Sequence, residues 1–230
     1  FIQGIGEPSE GLIAQPVLSL LKSWEFGDAQ IARFAALISL PWAIKPLYGL
    51  LSDFLPLAGY RRKGYLLLTS GAATAGLAVL TLVDLPTGAL SALLLLLLVP
   101  AVGIAFCDVE IDALMVEKGQ PRGITGLLQS IQWAAMYAAM ILTGCLGGYL
   151  SGRHLQRWAF GICAAACGVS FLLALLLVKE EPRPIAGSFR HTAKSLGKTL
   201  RSPAVLCVGS FLFLWNFNPF STAVLYLYQT

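Results

Sequence analysis

The chain has 230 residues, 57% of them hydrophobic and 12% charged, with a formal net charge of +4 and a mean hydropathy of +0.73. Soluble domains carry about 25% charged residues, so a water-soluble globule, a disordered chain, a collagen-like repeat and a soluble nucleic-acid binder are all excluded. The composition is that of an all-α, polytopic membrane protein.

Seven stretches approach the roughly 20 apolar residues that a membrane helix needs. In chain order they are Phe1 to Leu21, Ile31 to Ser52, Gly64 to Val83, Gly88 to Val116, Ile124 to Leu150, Trp158 to Val178 and Pro203 to Tyr228. The first is interrupted by Glu7, Pro8, Glu10 and Pro16. No Met opens the sequence and its first residues are already apolar, so no signal peptide is read and the chain is expected to be part of something longer. Cys107, Cys145, Cys163, Cys167 and Cys207 lie inside apolar runs, odd in number and without a CxxC pair. That gives neither a disulfide framework nor a zinc site, and no metal or cofactor is expected.

Basic residues orient the spans. Arg61, Arg62 and Lys63 follow the second; Lys118 and Arg122 the fourth; Lys179, Arg183, Arg190, Lys194, Lys198 and Arg201 the sixth, together eleven of the 16 Lys and Arg. Lys22, Arg33, Arg153 and Arg157 fall on the opposite side. The excess places the first group, and with it the N-terminus and the 179–202 segment, in the cytoplasm. Pro182 and Pro184 end the sixth span; beyond them Phe189, Ala193, Leu196 and Leu200 recur at helical spacing opposite Arg190, Lys194, Lys198 and Arg201. This fits a basic amphipathic helix on the membrane surface, with a solvated linker as the plainer alternative. The expected organisation is a six-helix bundle over 1–178, a cytoplasmic linker over 179–202, and the first helix of a second bundle over 203–230. That is the layout of one half of a major facilitator-type transporter plus the start of its other half.

Ionisable groups inside a bilayer are costly, so each marks a functional candidate. Lys45 sits in the second span, and Asp108 and Asp112 in the fourth, which also holds Glu110 and, near its end, Glu117. Helical rise puts Lys45 about 12 Å above Asp53, and Asp108 about 13.5 Å above Glu117, at similar depth. Asp112 shares a helix face with Asp108, one turn nearer the cytoplasm. Lys45 is therefore expected to pair with Asp108, with Asp112 as the alternate partner. The pair is either a static bond fixing helix packing or a charge pair that a substrate anion or a proton can break. Glu110 points to another face. Gly49, Asp53, the turn containing Pro56 and Gly59, the cluster Arg61, Arg62, Lys63 and, from the fourth span, Glu117 form an expected cytoplasmic latch, with topogenic positive charge as the simpler reading. The segment resembles the major facilitator signature between helices two and three, with extra residues between the Asp and the arginines.

Longer strings narrow the resemblance. Gln3-Gly4, Pro-Trp-Ala-Ile-Lys-Pro-Leu-Tyr-Gly over 41–49, Ser52-Asp53 through Pro56, Gly59-Tyr60-Arg61-Arg62, Asp112-Ala-Leu-Met-Val-Glu117 and Gln129-Ser-Ile-Gln-Trp133 resemble the folate–biopterin transporter family. The resemblance implies a twelve-helix secondary active transporter that moves folate- or pterin-like organic solutes by alternating access, often with protons (H+). It matches Lys45, Asp53, Arg61, Arg62, Asp108, Asp112 and Glu117 to motif positions.

Transporter halves are repeats, and matching breaks in corresponding helices point to a midplane site. Glu7-Pro8-Ser9-Glu10 breaks the first span and Asn216-Phe217-Asn218-Pro219 the seventh. Gln3, Glu7, Glu10, Gln15, Asn216 and Asn218 are thus candidate cavity residues, although Glu7 or Glu10 reaching the interface explains the first break equally well. Gln129, Gln132 and Trp133 share one helix face and suit a flat heterocycle, by hydrogen bonding and stacking; lipid-interface packing is the alternative for Trp133. Gly144, Gly147 and Gly148 let helices approach closely. A muropeptide permease is the rival solute class. A metal-diphosphate enzyme using Asp108 and Asp112 is the rival chemistry, but it lacks the second acidic motif that such enzymes need.

Overall fold

The structure is a computed structural model that describes residues 2–180 and, further along, 201–203, 206, 207, 210, 211 and 214. The chain divides into two compact units, Phe1–Arg183 and Pro184–Thr230. Asn216 and Asn218 lie outside the described residues, as do most of the expected linker and seventh span.

The first unit is built from α1 (Ile2–Gly6), α2 (Ala14–Ser23), α3 (Asp28–Ala43), α4 (Lys45–Phe54), α5 (Lys63–Leu82), α6 (Leu90–Gly119), α7 (Thr125–Gly152) and α8 (Gln156–Leu177), with one 3-10 turn at Gln120–Arg122. Among the described residues there is no strand, only an isolated bridge between Leu57 and Tyr60. Taken with α4 and the 3-10 turn, five segments among the described residues are long and apolar enough to cross a membrane: Asp28–Phe54, Lys63–Leu82, Leu90–Arg122, Thr125–Gly152 and Gln156–Leu177. Large apolar side chains such as Leu82, Ile141 and Leu176 stay exposed along them, as lipid-facing residues do. The protein is an all-α polytopic membrane protein.

The expected first span over 1–21 is not one helix. Pro8 has no N–H to continue α1 and disfavours helical backbone at Glu7. The chain turns instead: Gly11 N donates to Glu7 O at 2.7 Å and Leu12 N to Ile5 O at 2.9 Å. A Cβ on Gly11 would lie 2.5 Å from Ile5 O, so only glycine closes this turn. The expected second span, read as continuous, is also broken. Pro46 cannot donate a helical bond and its ring crowds the carbonyl four residues back, so α3 stops and α4 begins at Lys45. The break sets Lys45 in the first turn of a new helix.

The longer helices begin and end within a few residues of expectation, because their apolar runs are bounded by charge or turn residues. α5 lies between α6 and α8. Where α5 crosses α6, a Cβ on Gly103 would stand 2.6 Å from Thr69 O. Close backbone approach of this kind is what small residues permit in membranes. Gly147 does the same for α7 against Leu12 O, at 3.0 Å, and Gly148 meets the Gln15 side chain, whereas Gly144 faces open space. Leu77, Leu93, Leu97, Ala101, Ile13 and Leu21 fill the main core. A smaller aromatic core stacks Tyr48 of α4 on Phe106 of α6, with ring centroids 4.8 Å apart, and Phe106 on Tyr65 of α5 at 5.0 Å.

Candidate functional site

Two charge clusters sit on two faces of α6. At the deeper one, Lys45 Nζ donates to Asp108 Oδ2 at 2.6 Å. The lysine side chain is 29% exposed and the aspartate 10%. The Lys45 ammonium also lies 4.1 Å from the centroid of the Trp42 ring, so a carboxylate and a π face share one cation. The pairing expected from helical rise is present, and the α3–α4 break is what aims Lys45 across to α6. Glu7, half-buried in the turn after α1, accepts from Ser9 Oγ at 2.6 Å and interacts electrostatically with Lys45 and Asp108.

One turn along α6, Asp112 does not serve Lys45. Its Oδ1 accepts from Gln132 Nε2 of α7 at 2.8 Å. Gln132 Oε1 is buried without a partner. The bond to a carboxylate fixes which end of the amide is nitrogen. Asp108, Gln132 and Gln3 line a cavity of about 410 Å³ whose remaining wall, from α5, α6, α7 and α8, is largely apolar. Cys107 and Cys167 also line it. Among the described residues, no group of three His, Cys, Asp or Glu side chains could hold a metal ion.

The second cluster is the expected latch, and it is organised around Arg62. That side chain is 6% exposed. Arg62 Nη1 donates to Ser52 Oγ at 2.7 Å and to Glu110 Oε2 at 3.2 Å; Nη2 donates to Asp53 Oδ1 at 2.7 Å and to Glu117 Oε1 at 3.2 Å. Ser52 Oγ in turn donates to Gly49 O, which brings Gly49 into the chain of bonds. Arg61 Nη2 shares Asp53 Oδ1 at 2.7 Å. Burial opposes the charge on Arg62, but Glu110, Asp53 and Glu117 outweigh it and hold the pKa above the usual guanidinium value.

Two residues of this cluster were not among those expected in the latch. Glu110 is 0% exposed and reaches Arg62. The signal for it is the spacing of Glu110 and Glu117, seven residues apart and so on one helix face. Glu180, just beyond α8, accepts from the backbone N–H groups of Arg61 at 3.1 Å, Arg62 at 3.1 Å and Lys63 at 2.8 Å. It supplies a carboxylate to the open N-terminus of α5. Nothing in its local sequence announces a contact to residues nearly 120 positions away.

The remaining candidates are not drawn into either cluster. Glu10 and Gln15 are exposed, and Gln129 is half-buried without a place in the cavity wall. Trp133 is 46% exposed and packs on Tyr137, with ring centroids 5.7 Å apart. The shared face expected for Gln129, Gln132 and Trp133 therefore splits: Gln132 alone turns to the cavity. A single step from 132 to 133 rotates a side chain by about 100°, which is enough to carry the indole out of it.

The family model described as the BT1 family matches residues 9–230. The chain is similar to the "Folate-biopterin transporter" of Synechocystis sp., 32% identical over 100% of this chain and 46% of that protein. It is similar to "Probable folate-biopterin transporter 4" of Arabidopsis thaliana, 33% identical over 62% of this chain and 29% of that protein. It is also similar to "Folate transporter 1" of Plasmodium falciparum, 30% identical over 67% of this chain and 29% of that protein. The chain spans about half or less of the length of these curated relatives. No solved structure matches it.

Proposed function

Because the chain belongs to the BT1 family, we propose that it forms the first bundle of a secondary active transporter that carries folate- or pterin-like organic solutes by alternating access, together with protons. The observation that carries this reading is the Lys45–Asp108 pair, a charge pair inside membrane-crossing helices and beside a cavity. A buried ion pair contributes little net stability, since desolvation cancels most of the attraction. Placed next to a cavity, it has a use that packing does not require. A proton on Asp108 or an anionic group near Lys45 opens the pair, and the α3–α4 break gives Lys45 a joint about which to move.

Gln132 supplies a polar group to the cavity wall, with Asp112 bonded behind it and Glu7 near the Lys45–Asp108 pair. Gly49, Asp53, Arg61, Arg62 and Glu117 hold the cytoplasmic ends of α4, α5 and α6 together in one state and release them in the other. The bundle is of the major facilitator type, with the latch side and the N-terminus in the cytoplasm.

The test is uptake of radiolabelled folate by the full-length transporter, with pterin and sugar-peptide competitors and an imposed proton gradient. Expected are saturable uptake, competition by pterin and not by sugar-peptides, and dependence on the gradient. Lys45→Ala is expected to retain less than about a tenth of wild-type uptake at equal membrane level. Normal uptake by Lys45→Ala removes the pair from the mechanism.

A further inference from the structure

Resting on the folate- and pterin-type reading, we infer which part of the solute enters the cavity between α5, α6, α7 and α8: the flat heterocyclic head, edge-on through its N–H donors, and not an anionic tail. The polar groups on the wall set this direction. Gln132 gives an Nε2 donor to Asp112 and keeps Oε1, a buried acceptor, without a partner. Asp108 gives one carboxylate oxygen to Lys45 and keeps the other. Ser70 donates to Leu66 O within its own helix, which leaves its lone pairs as acceptors. Gln3 and Ser170 add neutral dipoles.

Among the described residues, no cation lines the cavity. Lys45 is not part of its wall, and its ammonium is held between Asp108 and Trp42. A carboxylate tail placed there would face acceptors and apolar side chains such as Ile104, Met136 and Leu173, and would lose its hydration with nothing in return. A 2-amino-4-oxo pteridine offers the converse: a planar apolar body for the walls and an edge with two adjacent N–H donors. Adjacent donors on a rigid edge match a carboxylate and an amide oxygen, and a ring lacking the amino group leaves a buried acceptor empty. Gln132, held in its orientation by Asp112, is therefore the residue that reads the amino-bearing edge.

The experiment uses the full-length purified transporter and three probes: pterin, its 2-desamino analogue, and an N-aroyl glutamate that carries the anionic tail without the ring. Binding of pterin is read from its own fluorescence, and the other two compete against it. The expected order is pterin, then the desamino analogue at least about tenfold weaker, with no competition by the aroyl glutamate. In Gln132→Leu the ratio between the first two is expected to fall toward one. Equal competition by the aroyl glutamate overturns the inference even if no variant folds, and so does a ratio in folded Gln132→Leu unchanged from wild type. Absence of folate uptake in cells together with the expected binding order would overturn the transport reading and leave the inference about the cavity standing.

Discussion

At the scale of single residues, Lys45 and Arg62 show two ways of holding a cation in a membrane protein. Lys45 has one carboxylate and one aromatic face and remains partly exposed. Removing one member strands the other, so Lys45→Ala and Asp108→Ala are each expected to lower stability by about 1–3 kcal/mol, while the double variant recovers at least half of the summed loss. Thermal unfolding in detergent measures this cycle, and simple additivity would mean that the two do not interact. Arg62 is enclosed by three carboxylates and a hydroxyl. Arg62→Lys keeps the charge but loses the planar fork, with an expected loss of about 1–3 kcal/mol. Glu117→Gln touches a carboxylate that is 40% exposed, and is expected to cost less than about 1 kcal/mol in the same assay. The raised pKa of Arg62 means that its contribution is complete below the ordinary guanidinium value and is lost only as pH rises through the still higher folded value. Its contribution is therefore flat across the physiological range, and pH-dependence in stability there must come from other groups.

At the scale of helices, breaks matter more than spans. Pro8 and Pro46 each end a helix, and each leaves a polar residue of the deep cluster at the break: Glu7 in the turn after α1 and Lys45 at the start of α4. Freed backbone groups of this kind are tolerated in membranes where a cavity or polar side chains receive them. Glu180 acts on another helix end. Three consecutive N–H groups at the start of α5 converge on its carboxylate, and the same residues carry the arginines of the latch. Glu180→Ala is expected to speed amide hydrogen exchange at positions 61–63 and to destabilise the start of α5 by about 1–2 kcal/mol, with Glu180→Gln in between. Exchange rates unchanged at those amides would show that the carboxylate does not hold the loop.

At the scale of the whole molecule, a polar rim and an oily belt determine how the chain lies. The residues that follow the second, fourth and sixth expected spans meet at one end: Arg61, Lys63, Lys118, Lys179 and Glu180 line a single polar cavity of about 590 Å³. Arg157 pairs with Asp84 between helices at the start of α8 and the end of α5. With cysteines placed singly at 118 and at 153 in a cysteine-free background, membrane-impermeant maleimide is expected to label 118 only from the cytoplasmic side and 153 only from the other. Labelling of both from the same side would overturn the topology. The exposed face of α7 carries Trp133, Tyr137 and Ile141, a large apolar surface.

The sequence by itself determined the class of the protein and most of its spans, because a run of 20 apolar residues has few alternatives in water and the bilayer imposes their length. It also placed Lys45 level with Asp108, since depth along a helix is arithmetic on residue number. Orientation around the helix axis was legible only in part: Asp108 and Asp112 share a face, yet they serve different partners on different helices. What only the tertiary structure decided is which side chains converge. Arg62 gathers Ser52, Asp53, Glu110 and Glu117; Gln132 turns inward while Trp133 turns out; Glu180 returns from the end of α8 to the start of α5. Each depends on how helices distant in sequence rotate and cross, and that is set by close contacts such as Gly103 on Thr69 rather than by any local pattern.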